Sequence, residues 1–205
     1  MRFFLIPAVL IFFAACNSGP ANNKTTVAEN KERLPKTEIP NPFVETDASA
    51  MDMSYYPVDY PTLKMNHLIS TPPLARVIYS RPHKGGRKIF GGLVPYNKQW
   101  RLGANEASEI EFFKPAIIQN KKIAPGRYII YSIPQETKWT ILLNKDIFTW
   151  GKEIDSTKDI MQFEIPVEKT STPCEYFTML FQDNKNQTVL LMAWDDIVAK
   201  LPIGF

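Results

Sequence analysis

Seven cationic side chains and no acidic one lie between Arg76 and Asn105: Arg76, Arg81, Lys84, Arg87, Lys88, Lys98 and Arg101, with His83 among them. The whole chain carries a net charge of only +3, so this run concentrates positive potential locally. An arginine guanidinium is a planar fork that pairs bidentately with a carboxylate or a phosphate. The adjacent Gly85-Gly86 pair lets a loop bring backbone N–H groups close to an anion. These residue types predict that HKGGRK is a mobile loop and that Arg81, Arg87 and Arg101 gather around an anion-binding pocket. A plainer reading is equally open. The glycines serve a turn, the charges keep it solvated, and Arg101 pairs with Glu106 to brace the WRLGANEA segment.

Trp100, Asn105 and Glu106 add a second chemistry. A saccharide has one apolar face and a polar rim, so an aromatic platform (Trp100 or Tyr96) beside planar hydrogen-bonding groups suits it. His83 and Glu106 are the pair a hydrolase would use as general base and acid. Neither His67 nor His83 falls in a metal-ligand spacing, so no metal is expected. The chain has no nucleophile-elbow, phosphate-loop or dinucleotide glycine pattern, so no cofactor is expected. Glu106, Glu109, Glu111 and Asp146 have no readable separation as a glycosidase pair. Cys174, in the apolar run CEYFTMLF, reads as a buried inert thiol.

The elements that must position these residues are strands. Short runs rich in β-branched and aromatic residues recur between turn signals: 74–80, 106–114, 115–119, 127–133, 138–144, 160–168, 175–182, 188–194 and 197–203. Asn120-Lys121-Lys122 reads as a hairpin turn, and Pro125-Gly126 as the turn that launches the next strand. Within 138–144, Trp139, Ile141 and Leu143 share a face, and Leu142 interrupts the alternation. Eight or nine strands, short links and no long helix predict an all-β fold: an antiparallel β-sandwich or jelly roll, with a closed β-barrel as the alternative.

The N-terminus reads as a lipoprotein leader. Arg2 supplies a short positive region, Phe3 to Phe13 an apolar one, and Ala14-Ala15 the small residues before a cleavage site. Phe13-Ala14-Ala15-Cys16 resembles the bacterial lipobox with Phe in place of Leu, so Cys16 is the expected site of lipidation (palmitate-type acyl chains). Acyl chains there would attach the protein stably to a membrane. With Cys16 acylated, Cys174 has no disulfide partner. Residues 16–60 read as a flexible tether followed by an aromatic arm, MDMSYYPVDYPTL, which either packs irregularly on a domain spanning 61–205 or contacts a partner, packing being favoured.

The stretch from Tyr79 to Phe112 also resembles a known family. Tyr79-Ser80-Arg81-Pro82, Gly86-Arg87, Ile89-Phe90-Gly91, Val94-Pro95-Tyr96, Trp100-Arg101 and Gly103-Ala104-Asn105-Glu106-Ala107 are similar to the bacterial domain of unknown function 2911, seen chiefly in Bacteroidota envelope proteins. Pro125-Gly126, Tyr128, Trp139, Asn144 and Trp150-Gly151 fit as well. The resemblance covers about residues 72–203 and implies no particular activity. Relatives often carry a further strand-like segment before Leu74, where this chain is shorter and Pro-rich.

Together these readings predict an envelope lipoprotein, anchored through Cys16 and placed on the outer membrane facing the periplasm. Its expected role is non-catalytic binding of an anionic or saccharide ligand through Arg81, Arg87, Trp100, Arg101, Asn105 and Glu106. A structural component that binds other envelope proteins is the alternative, with a hydrolase using His83 and Glu106 behind it. The weak net charge argues against a nucleic-acid partner.

Overall fold

The computed structural model describes Phe43, residues 47–184 and residues 187–205. The leader, Cys16 and most of the tether lie outside the described residues. The rest is all β apart from one six-residue helix and a single 3-10 turn.

Seven strands form one antiparallel sheet in the order β1 (Met51–Tyr56), β2 (Ala75–Ser80), β3 (Glu109–Phe112), β6 (Gly126–Pro134), β7 (Lys138–Asn144), β8 (Asp159–Asn184) and β9 (Gln187–Ile203). β4 (Ala116–Ile118) and β5 (Lys121–Ile123) make a separate hairpin. Its turn residues, Gln119 and Asn120, both have positive φ, 47° and 63°. This is the conformation a two-residue turn needs to match strand twist.

The sheet curls into a half-barrel. The long β8 makes the curl possible. Its first part pairs with β7, and register shifts between Lys169, Cys174 and Thr178 then bend it. Past the bend it returns to the start of the sheet. The Phe177 N–H donates to the Pro82 carbonyl at 2.9 Å, the Lys84 N–H to the Glu175 carbonyl at 2.7 Å, and the Phe181 N–H to the Ser54 hydroxyl at 3.1 Å. The runs 160–168 and 175–182, which read as two strands, are therefore one bent strand. Likewise, 188–194 and 197–203 both belong to β9, with Asp195 between them at φ 51°.

The aromatic arm is more regular than its sequence suggests. MDMSYY is β1, paired with β2 from Met51↔Ser80 to Tyr56↔Ala75, and Tyr60–Met65 is the helix α1. The sheet thus starts ahead of residue 61. Asp52 and Met53 face Tyr79 and Ile78 across this pairing.

Two apolar clusters follow from strand alternation. The main core fills the inside of the curl with Tyr79, Ile110, Phe112, Ile130, Trp139, Ile141, Phe163, Phe177, Trp194 and their neighbours. A smaller cluster on the opposite face joins Ile129, Tyr131 and Leu142 to Ala107 and Ile154. Leu142 breaks the alternation of β7 because both faces of that strand are covered. The segment after β7 is fixed by buried Asn144, whose amide donates to the Asp155 carbonyl at 2.8 Å and to the Asp159 carboxylate at 2.7 Å. Tyr131 donates to the same carboxylate at 2.7 Å, and burial with this bond holds its hydroxyl well above the usual tyrosine range.

Candidate functional site

A hollow in the described domain has a volume of about 760 Å³. This is the size range of small-molecule sites. It opens between the 93–104 segment, the end of β2, the loop after β7 and the bend of β9. Four cations line it, Arg87, Lys98, Arg101 and Lys152, and no described lining residue is acidic.

Its floor is aromatic. Trp100 hydrogen-bonds through its backbone to Ser132 in both directions, at 2.8 and 2.9 Å, which pins it against β6. Its ring stacks on Trp194 at 6.0 Å and 19°, and meets Trp139 edge-on at 5.5 Å and Phe177 at 4.9 Å. Pairs of this kind contribute about 0.5–1.5 kcal/mol each beyond their buried area. Trp100 is 8% exposed, so only an edge of the indole reaches the hollow and its faces belong to the core.

Arg101 follows Trp100 and leaves the core towards the hollow. Among the described residues it has no ion pair and no hydrogen bond, and its Nε is buried without a partner. Burial alone holds its guanidinium below the ordinary arginine range. A cation withdrawn from water without a counter-charge is unfavourable, and an arriving anion relieves that cost. The segment that delivers it is strained. Leu102, fully buried, and Asn105 adopt positive φ, 53° and 56°. Asparagine tolerates this conformation, but leucine seldom takes it, and at Leu102 it adds about 1 kcal/mol or more. Between them a β-carbon at Gly103 would meet the Ser80 carbonyl at 3.0 Å.

Arg87 arrives on the HKGGRK loop. Its guanidinium donates from Nε to the Lys84 carbonyl at 2.8 Å and also to the His83 carbonyl. The loop is strapped down by Lys84, whose Nζ lies 2.5 Å from Asp195, and by the Gly85 N–H, which donates to Glu175 at 2.7 Å. Gly85 and Gly86 both have positive φ, so the turn needs glycine there. The HKGGRK loop is thus tied to β8 and β9 by these contacts.

The sequence candidates divide. Arg87, Trp100 and Arg101 come together at the hollow. Arg81 does not join them: it pairs with Asp52 at 3.2 Å beside a different hollow, of about 360 Å³. Asn105 donates to Asp47 at 2.9 Å. Glu106 lines a third hollow, of about 300 Å³, so it does not brace Arg101. His83 lies 3.7 Å from Glu175 and against the Tyr176 ring. The two members of the hydrolase pair therefore face different surroundings. Tyr96 turns back over Gly91, where a β-carbon would stand 2.9 Å from its ring. Cys174 sits at the β8 bend, partly exposed. Among the described residues no cluster of three or more His, Cys, Asp or Glu side chains could hold a metal ion.

Sequence reasoning passed over Lys98, Lys152, Gly151 and Trp194. Lys98 was inside the cationic run, and Gly151-Lys152 directly follow Trp150 of the Trp150-Gly151 pair. Trp194 had no local signal.

The family model described as a protein of unknown function (DUF2911) matches residues 70–203. Neither a curated protein nor a solved structure matches the chain.

Proposed function

For this chain, which belongs to the DUF2911 family, we propose a role as a non-catalytic binding module of the bacterial envelope. Its ligand is a carboxylate or phosphate group, free or carried on a saccharide, held in the hollow of Arg87, Lys98, Arg101 and Lys152. The observation that carries this reading is Arg101: half-buried, without an ionic partner among the described residues, in a hollow lined by four cations and no described acid.

The test is thermal unfolding of the full chain with inorganic phosphate, glucose 6-phosphate and glucose. An anion bound at about 100 times its Kd stabilises by about 2.7 kcal/mol through mass action. Phosphate and glucose 6-phosphate should raise the midpoint, glucose alone should not, and Arg101→Met should abolish the shift. No shift with either anion would overturn the reading and favour a protein-interaction role. The envelope placement rests on the leader and Cys16. Radiolabelled palmitate should enter the wild-type chain and be absent from Cys16→Ser, and equal labelling of the two would remove the anchor.

A further inference from the structure

We infer that the anion is presented to this hollow at a lipid surface, as the phosphate headgroup of an anionic lipid. The inference rests on the oxyanion reading of the hollow and adds the source of the ligand. Its starting point is the loop 145–153, KDIFTWGKE. Phe148 is 92% exposed and Trp150 45% exposed, two large aromatics on one turn that the core does not use. A water-soluble domain gains nothing by displaying them, whereas an aromatic ring beside cations suits the boundary between headgroups and acyl chains.

That turn is not independent of the cationic hollow. Gly151 and Lys152, the next two residues, line it, and Gly151 packs against the Arg101 side chain so closely that a β-carbon would stand 2.5 Å from Cδ. Leu93 contributes a further exposed apolar side chain to the lining. The aromatic turn is therefore continuous in sequence with the cationic wall, while Phe148 itself lines the neighbouring hollow with Glu106, Glu109 and Arg127. Charge complementarity favours an anionic surface. Asp146 is neutralised by Lys158 at 2.6 Å, which leaves Lys145 and Lys152 against Glu153. The attraction to anionic lipid comes from the four cations of the hollow, Arg87, Lys98, Arg101 and Lys152, with the aromatics beside them in sequence.

The experiment uses the full chain reconstituted in phosphatidylcholine vesicles, without and with phosphatidic acid, and reads the thermal midpoint. Every variant carries the same N-terminal segment, so differences report the domain. Soluble glycerol 3-phosphate is the reference ligand. Phosphatidic acid should raise the midpoint more than glycerol 3-phosphate does. The double variant Phe148→Ser, Trp150→Ser should keep the response to glycerol 3-phosphate and weaken apparent binding to phosphatidic-acid vesicles by about tenfold. Neither side chain belongs to an apolar core cluster, so these substitutions leave the core intact. Lys152→Glu, at an exposed position, should weaken both responses. A response to glycerol 3-phosphate with none added by phosphatidic acid would sink the lipid source and leave the oxyanion reading standing. The same holds if the double variant behaves as wild type. No response to either ligand would sink both.

Discussion

The Cδ of Arg101 lies 2.5 Å from the point at which a β-carbon on Gly151 would stand. The same point is 2.8 Å from the Asn105 carbonyl and 3.0 Å from the Ala107 amide. Glycine is thus what lets the loop after β7 close on the cationic wall. Gly151→Ala has two backbone neighbours that cannot move aside cheaply, so the loop itself must shift. Overpacking of this kind costs about 1–3 kcal/mol. Chemical denaturation should show that loss, and the phosphate-induced midpoint shift should shrink with it.

Arg101→Met separates ligand binding from fold support. Removing a partly buried cation that nothing pairs should leave unfolding free energy within about 1 kcal/mol of wild type, or raise it. The anion response should disappear. A large loss of stability with no anion present would instead make Arg101 a brace of the fold.

The strap that carries Arg87 depends on Lys84 and Asp195. Asp195 sits at φ 51°, a conformation asparagine also tolerates, so Asp195→Asn removes the charge and keeps the backbone. A pair of this exposure contributes about 0.2–1 kcal/mol. Limited proteolysis should cut faster at Gly85-Gly86 in this variant, and phosphate affinity should fall up to about fivefold. Unchanged cleavage would show that Glu175 alone holds the loop.

Alkaline pH tests the junction of β1 and β2. Tyr79 is buried and donates to Asp52 at 3.2 Å, and burial first, with the carboxylate, pushes its pKa from 10.0 to about 12. A raised acid favours its neutral form in the folded state. Its contribution is therefore complete below pH 10, where the unfolded tyrosine is also neutral, and is lost as pH rises towards 12. Denaturation midpoints measured across that window should fall, and Tyr79→Phe should flatten the slope. An equal slope in the variant would assign the loss to another group.

Much of this was legible beforehand because strand alternation is local. Each apolar run became strand, and Trp139, Ile141 and Leu143 share the core face as their spacing requires. What stayed hidden depended on distant partners. The continuity of β8 through its bend is set by Pro82 and Glu175, which no local pattern encodes. The cationic run identified the right neighbourhood, yet it could not show that Arg81 is matched by Asp52 while Arg101 is left without a counter-charge. Lys152 was invisible for the same reason: it reaches the hollow only through the contact between Gly151 and Arg101.

The end of β9 reaches back to segments that lie far earlier. Gly204 exchanges two backbone hydrogen bonds with Ile117, each 2.8 Å, and the Phe205 ring stacks on Tyr56 at 5.3 Å and 18°. Contacts with such wide sequence separation bear their loop-closure entropy before they repay it. The earliest strand is thus held by the latest residues, and pairing across such separation slows folding. Shortening the chain by a few residues at that point would leave β4 and Tyr56 without their covers and expose apolar surface that invites self-association.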